Sequence, residues 1–352
     1  MDKGIFTAID ANLNRVLEGL RVCEDIFRFN IRNVISEEIK TLRHRITSLS
    51  RIIPSVQLLD ARDVEADSQK FVDTQGEMKR ESVTDLFRAN IRRAAEGLRA
   101  LEEFSKTIDM DISAGFQQAR FDVYDIEKRG VLSIGRAVLL SQFNNSLYAI
   151  IDSEFVQESE IRHTAEILAV SGADIIQLRM KGIPDRIFFE HACAVADVCR
   201  KAGSISIIND RADIALLAKA DGVHLGQSDL PVSKIDEISG RLLTGVSVSC
   251  VAEAVEAFEG GADYIAFGPV YSTASKSGKT LDGLGTDILR EIVSASETPV
   301  VAIGGINSAN INDILTTGCS CAALISGLYK NNSLAADASF IKKKLMKTTE
   351  NI

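Results

Sequence analysis

The segment Ile207–Leu230, IINDRADIALLAKADGVHLGQSDL, reads as strand, acidic loop, helix, strand, acidic loop. Apolar Ile207 and Ile208 run into Asn209 and Asp210, an alanine- and leucine-rich helical stretch comes next, and the short strand Gly222–Leu225 ends just before Gln227 and Asp229. In a parallel β/α barrel, loops that follow neighbouring strands open on one face, where active sites are built. Two carboxylates delivered there suit a hard, oxygen-liganded cation such as Mg²⁺, whose remaining ligands are usually waters and phosphate oxygens. Taken alone, the segment is equally compatible with two unrelated loop aspartates.

Outward from this segment, strand-like and helix-like runs alternate from Ser146 onward. The strands expected are Leu147–Ile151, Asp174–Leu178, Ser204–Ile208, Gly222–Leu225, Leu243–Val248, Tyr264–Gly268, Pro299–Ile303 and Ala322–Ser326. Eight such units over about 200 residues predict an α/β fold of the TIM (β/α)8 type. A doubly wound sheet is the alternative, but the first strand lacks the GxGxxG fingerprint of a dinucleotide site.

From the second strand to the eighth, each strand runs into polar or glycine-rich sequence. Gln177, Arg179 and Lys181 lie at the end of the second strand, Asn209 and Asp210 at the third, and Gln227 and Asp229 at the fourth. The fifth ends in Ser247 and Ser249, and the sixth runs into a hydroxyl-rich loop, Gly268–Lys276. The seventh ends in Gly304-Gly305 and the eighth in Ser326-Gly327, where barrels commonly hold a phosphate on backbone amides. One rim therefore offers a glycine/serine pocket for a monophosphate and a Lys/Arg/Mg²⁺ pocket for a more highly charged group. His224 reads as a residue standing behind this rim.

The chain before residue 146 has a different character. Seven of the 24 glycines lie there and 17 lie after it, so the first part reads as long helices and the second as short strands with turns. The expected domains are 1–140, all-α, and 146–346, the barrel. Within the helical part, Ala11–Ile26 (ANLNRVLEGLRVCEDI) aligns without gaps onto Ala89–Phe104 (ANIRRAAEGLRALEEF), with eight of 16 positions identical. Leu13, Val16, Leu20 and Cys23, matched by Ile91, Ala94, Leu98 and Leu101, give each copy a buried helical stripe. The paired Gly19 and Gly97 suggest close approach of backbones where the copies cross. Asn33–Ile53 reads as a helix, Leu58–Gly76 as a polar connection containing Ala61-Arg62-Asp63, and Gly115–Leu140 as a last helical stretch. The repeated Asn12, Arg15 and Arg21, with Asn90, Arg93 and Arg99, admit two readings: intrahelical ion pairing, or a pseudo-symmetric pocket whose guanidinium groups hold a phosphate.

Composition limits the partners. A net charge of −9 disfavours nucleic acid, and no uninterrupted apolar run is long enough to span a bilayer. The six scattered cysteines form no zinc-type pattern and read as reduced thiols of a cytoplasmic protein. Small-molecule substrates are the expected partners, and a homodimer is compatible with the sequence.

The motifs QLRMK, NDRADIAL, DGVHLGQSDL, GVSVS, GPVYSTASK, AIGGI and ALISG, in this order, resemble those of thiamine-phosphate synthases over residues 146–346. That resemblance implies condensation of 4-amino-2-methyl-5-hydroxymethylpyrimidine diphosphate with a thiazole phosphate, carboxylated or not, and release of diphosphate. It implies pyrimidine diphosphate on Gln177, Arg179, Lys181, Asn209, Ser247 and Lys276, and Mg²⁺ on Asp210 and Asp229. Thiazole phosphate would sit on Thr273, Ser275, Gly305, Ile325 and Ser326. Arg179, Lys276, Asp210 and Asp229 would carry the chemistry. Ser272 stands where the family usually has proline and Ser275 where it has threonine, which implies altered stiffness of that loop. The related thiazole tautomerases carry a histidine where this chain has Ser249. The helical half, through DANLNRVLEGLRVCED, LRHRI, Ala61-Arg62-Asp63 and ANIRRAAEGLRALEEF, resembles a hydroxymethylpyrimidine-phosphate kinase distinct from the ribokinase-like enzyme. It would then use ATP, although no P-loop is visible; the alternative is a non-catalytic module for dimerisation or regulation.

Overall fold

The computed structural model describes residues 3–61, 80–238, 240–274, 280–329 and 333–346. They divide into two compact units, Met1–Ala137 and Val138–Ile352.

The first unit is helical. The two copies of the repeat form α1 (Lys3–Asp25) and α4 (Val83–Ser105). Val16, Leu20 and Cys23 of α1 and Ile91, Leu98 and Leu101 of α4 are fully buried in one core. The matched glycines are where the two helices meet: a Cβ on Gly19 would lie 2.8 Å from the Asn90 carbonyl, and one on Gly97 would lie 2.7 Å from Val16 Cγ2. The loss of helix propensity, roughly 1 kcal/mol per glycine, is thereby exchanged for close packing. Each copy is followed by a further helix, α2 (Ile35–Ser50) and α5 (Met110–Ser141). The pseudo-symmetry extends to them: Arg43 of α2 binds buried Glu24 of α1, and Arg120 of α5 binds buried Glu102 of α4 at 2.9 Å.

Two sequence expectations shift. Leu58–Ala61 belongs to a short helix, α3 (Ser55–Ala61), and not to a polar connection. The buried Leu58 and Ala61 explain this, with the Thr7 hydroxyl donating to the Ala61 carbonyl. Arg62 and Asp63 lie outside the described residues. α5 begins five residues before Gly115, because the Asp109 carboxylate accepts from the Asp111 and Ile112 amides and starts the helix there.

The second unit is a closed barrel. Its strands are β1 (Ser146–Asp152), β2 (Ile175–Arg179), β3 (Ile205–Asn209), β4 (Gly222–Leu225), β5 (Leu243–Val248) and β6 (Tyr264–Phe267). After a two-residue-per-strand hairpin, β7 (Thr273–Ala274) and β8 (Thr280–Leu281), come β9 (Val300–Ile303) and β10 (Cys321–Leu324). The barrel runs β1-β2-β3-β4-β5-β6-β9-β10 and back to β1, all parallel. It is the TIM-type α/β fold expected, with strand ends moved by one or two residues. Alternation sends Leu147, Ala149 and Ile151 of β1 outward to the helices and Tyr148 and Ile150 inward.

Three Ala-Asp pairs fix the strand register. Asp174, Asp221 and Asp263 stand just before β2, β4 and β6, and each carboxylate accepts the backbone N–H of a neighbouring strand, from Leu147, Ser206 and Thr244 respectively, at 2.8 Å. They sit at the N-terminal ends of the strands, the face that serves stability. The opposite face is left for chemistry.

Candidate active site

At the C-terminal ends of the strands, β3 and β4 hand their loop carboxylates to each other. Asp210 takes the left-handed backbone conformation, φ 62°, and its amide donates to the His224 carbonyl at 2.8 Å. Such a conformation costs a non-glycine residue about 1 kcal/mol, so the surrounding structure holds it there. Asp229 accepts from the Gly226 amide at 2.7 Å. Burial, and then the neighbouring Asp210 carboxylate, hold the Asp229 carboxyl above its ordinary value. Lys181 reaches across from the end of β2 and pairs with Asp210 at 3.1 Å. The donors are all oxygen, which fits Mg²⁺ better than Zn²⁺. No group of three or more His, Cys, Asp or Glu side chains with metal-binding spacing occurs among the described residues. A divalent ion at this pair would draw its remaining ligands from water or substrate.

Beside the pair lies a cavity of about 700 Å³ whose lining includes Arg179, Lys181, Thr273, Gly305, Ile325 and Ser326. The structure thus brings together the two cations and most of the residues expected for the thiazole phosphate. The glycines are required by the backbone. Gly304 and Gly305 have φ of 101° and 67°, and a Cβ on Gly304 would lie 2.4 Å from Pro269 Cα. Ser275 and Lys276 lie outside the described residues. Ser272, the departure from the family pattern, accepts from the Gly283 amide at 3.2 Å and so ties the outgoing arm of the hairpin loop to its return. Ser249 is engaged by Glu253, which accepts from both its amide and its hydroxyl.

Gln177, Asn209 and Ser247 are placed differently. Gln177 and Asn209 are buried in the barrel mouth, where Gln177 Nε2 donates to Asn209 Oδ1 at 2.6 Å. Ser247 is half-buried and lies 2.9 Å from His224 Nε2.

Sequence reasoning overlooked three residues here. Asp152, fully buried at the end of β1, accepts from Arg179 at 2.8 Å and holds that buried guanidinium in the cavity wall. Tyr148 and Tyr264, both fully buried, join Gln177 and His224 by hydrogen bonds across the barrel interior. Asp152 carried a readable signal, a carboxylate ending the first strand. The tyrosines carried none, because an aromatic residue in a strand reads as ordinary core.

In the helical unit, the polar repeat resolves into local bonds. Asn12 and Asn90 each donate to the carbonyl one turn back, at 2.8 Å. Arg21 pairs with Glu24 and Asp25, and Arg99 pairs with Glu102 and Glu103. Arg15 and Arg93 are exposed. The ion-pair reading describes Arg21 and Arg99; nothing in the described geometry draws the four arginines into one phosphate pocket.

An acidic pair and a glycine-walled cavity sharing the strand-end face define a (β/α)8-barrel enzyme that handles phosphorylated small molecules. Residues 147–328 match the family described as thiamine monophosphate synthase, and residues 7–129 match the ThiD2 family. A thiamine-phosphate synthase of Gloeobacter violaceus is 34% identical over 92% of both chains, and one of a Nostoc species is 34% identical over 93% of this chain and 90% of that one. Among solved structures, the thiamine phosphate pyrophosphorylase of Pyrococcus furiosus superposes with a TM-score of 0.53 at 32% identity, covering 59% of this chain and 98% of that one. The chain belongs to the thiamine monophosphate synthase family, with a ThiD2-type helical region ahead of the barrel.

Proposed function

We propose that the barrel condenses 4-amino-2-methyl-5-hydroxymethylpyrimidine diphosphate with a thiazole phosphate to give thiamine phosphate and diphosphate. The observation that carries this is the joint placement of the Asp210–Asp229–Lys181 cluster and the Gly304-Gly305-Ser326 wall on one strand-end face. In the reaction, the bond between the pyrimidine methylene carbon and the diphosphate oxygen breaks, and its electron pair leaves with diphosphate. The aminopyrimidine delocalises the methylene cation until the thiazole nitrogen lone pair closes the new C–N bond. Asp210 and Asp229 would hold Mg²⁺, which when bound would supply charge screening for the diphosphate as it departs. Lys181, beside Asp210, and Arg179 add positive charge, and Asp152 fixes the direction in which Arg179 points. Gly305 and Ser326 hold the thiazole phosphate at a set distance from the pyrimidine. The protein supplies no covalent nucleophile; positioning and exclusion of water do the remaining work.

For the helical unit, the ThiD2 match supports an ATP-dependent kinase that converts pyrimidine monophosphate to the diphosphate. The unpaired state of all six cysteines supports a reducing, cytoplasmic setting. Among the described residues, no helix is long and apolar enough to cross a membrane.

The test uses purified full-length protein with Mg²⁺ and thiazole phosphate. One tube receives pyrimidine diphosphate; the other receives pyrimidine monophosphate and ATP. Product in both supports the bifunctional reading, and product only from the diphosphate reduces the helical unit to a structural or regulatory role. Folded protein that makes product in neither overturns the synthase reading.

A further inference from the structure

Six polar side chains cross the apolar interior of the barrel in one continuous hydrogen-bonded line. Asn209 Oδ1 accepts from Gln177 Nε2 at 2.6 Å, and Gln177 Oε1 accepts from the Tyr148 hydroxyl at 2.8 Å. The Tyr148 and Tyr264 hydroxyls are 3.0 Å apart, Tyr264 lies 3.1 Å from His224 Nδ1, and His224 Nε2 lies 2.9 Å from the Ser247 hydroxyl. All but Ser247 are buried. The fold makes room for the line. A Cβ on Gly245 would fall 2.0 Å from Tyr264 Cζ, so β5 gives up a side chain where the Tyr264 ring stands.

A line of this kind has a direction. A carboxamide oxygen only accepts, so Tyr148 must spend its single proton on Gln177. Tyr148 can then only accept from Tyr264, which spends its own proton. Tyr264 in turn accepts, and His224 must carry a proton on Nδ1. In a neutral imidazole Nε2 is then bare, and the Ser247 hydroxyl donates into it. Ser247 is left with lone pairs alone for any further partner.

We infer that His224, locked as the Nδ1–H tautomer by the line anchored at Gln177, sets Ser247 as a hydrogen-bond acceptor that selects the amino group of the pyrimidine substrate. This rests on the synthase reading, which supplies an aminopyrimidine; the device itself rests on the geometry. An oxo group at the same ring position would bring an acceptor to an acceptor. A site committed in this way discriminates strongly, because the mismatched partner leaves both groups unpaired. His224, Tyr264 and Tyr148 are positioning residues that act through Ser247. The opposite polarity, with both carboxamides turned, would make Ser247 a donor and reverse the preference.

Two measurements test this. The first is ¹⁵N NMR of full-length protein labelled at histidine, at a pH where imidazole is neutral, with the His224 signals assigned by their loss in a His224 variant. A protonated Nδ1 and a bare Nε2 are expected; a bare Nδ1 and protonated Nε2 overturn the proposal. The second compares two uncleavable pyrimidine diphosphate analogues, their scissile oxygen replaced by CH2, one 4-amino and one 4-oxo, as inhibitors of thiamine phosphate formation. Wild-type protein should favour the amino analogue by about 100-fold, on the scale of one buried mismatched hydrogen bond. His224→Asn, which keeps a donor toward Tyr264 but loses the acceptor for Ser247, should bring the preference to within about tenfold of parity. His224→Gln, whose carbonyl can reach Ser247, should restore it. An unchanged preference in His224→Asn overturns the proposal. Failure of the synthase reading is visible separately, as absence of product from wild-type protein, and the tautomer measurement still decides the polarity of the line.

Discussion

At the scale of single residues, buried charge and buried thiols govern what can be measured. Asp152 has no exposed surface and Arg179 has 5%. Asp152→Asn leaves that guanidinium without its counter-charge, a change that costs about 3–5 kcal/mol when one partner of a buried pair is removed. The expected outcome is a fall in the melting temperature of the barrel together with a higher KM for pyrimidine diphosphate, read by calorimetry and steady-state kinetics. Wild-type melting in Asp152→Asn would show that the pair contributes little. The cysteines divide in the same way. Burial pushes the Cys23 and Cys199 thiols up to about 12, so both stay protonated at pH 8, whereas Cys250 is exposed. Only thiolates react readily, so a thiol reagent should modify Cys250 in the native protein and reach Cys23 and Cys199 only on unfolding, as mass mapping of the labelled peptides would report. The legibility of the site follows the same division by environment. Asp210 and Asp229 stood out in the sequence because each lies in the loop that follows an apolar strand, on neighbouring strands. Asp152 ends an apolar strand too, but the end of the next strand offers cations, Arg179 and Lys181, and no second carboxylate to match it. Tyr148 and Tyr264 were invisible, since their hydroxyls matter only once eight strands have turned them toward one another.

At the scale of elements, the repeat was readable from the sequence because crossing helices leave a mark: the same glycine in the same place twice. The two glycines are not equivalent in what opposes a methyl group. On Gly19 it meets the Asn90 backbone carbonyl at 2.8 Å, which cannot move without α4; on Gly97 it meets first the buried Val16 side chain at 2.7 Å, and a backbone atom, the Asn12 carbonyl oxygen, only at 3.3 Å. Gly19→Ala should therefore destabilise by about 1–3 kcal/mol, the usual range for overpacking. Gly97→Ala should cost less, because a side-chain methyl yields more readily than a backbone carbonyl, while the gain in helix propensity, roughly 1 kcal/mol, is common to both changes. Equal effects in chemical denaturation would refute this ordering. A second link joins α2 to α5, where Arg129 hydrogen-bonds Glu38 and holds its carboxyl below its ordinary value. A depressed folded value means that the contribution is present above the unfolded carboxyl range and is lost as pH falls through the folded value. Glu38→Gln should thus lower the helical unit's melting temperature slightly at pH 7, and the difference from wild type should shrink as pH falls below the ordinary carboxyl range, since a half-exposed pair is worth under about 1 kcal/mol. The helix ends were less readable than the repeat. α3 and the start of α5 depend on a buried Ala61 and on Asp109 accepting two amides, tertiary and capping facts that periodicity does not encode.

At the scale of the whole molecule, each unit closes an apolar core from its own residues: Ile9, Leu20, Phe27, Phe87 and Phe116 in the helical one, and the two shells on either side of the strands in the barrel. Cores that close separately allow separate unfolding, and a chain of this kind need not melt as one cooperative system. That separation is what makes the division of labour testable without cutting the chain. A change confined to the helical core, Gly19→Ala, should lower only one of two calorimetric transitions. At a temperature above the lowered midpoint of the helical unit and below that of the barrel, the variant should still make thiamine phosphate from pyrimidine diphosphate at the wild-type rate. From pyrimidine monophosphate and ATP it should make little, because the unit proposed to form the diphosphate has melted while the unit that consumes it stands. Parallel loss of both activities would mean that the barrel depends on the helical unit for its own chemistry, and two independent catalysts on one chain would no longer describe the protein.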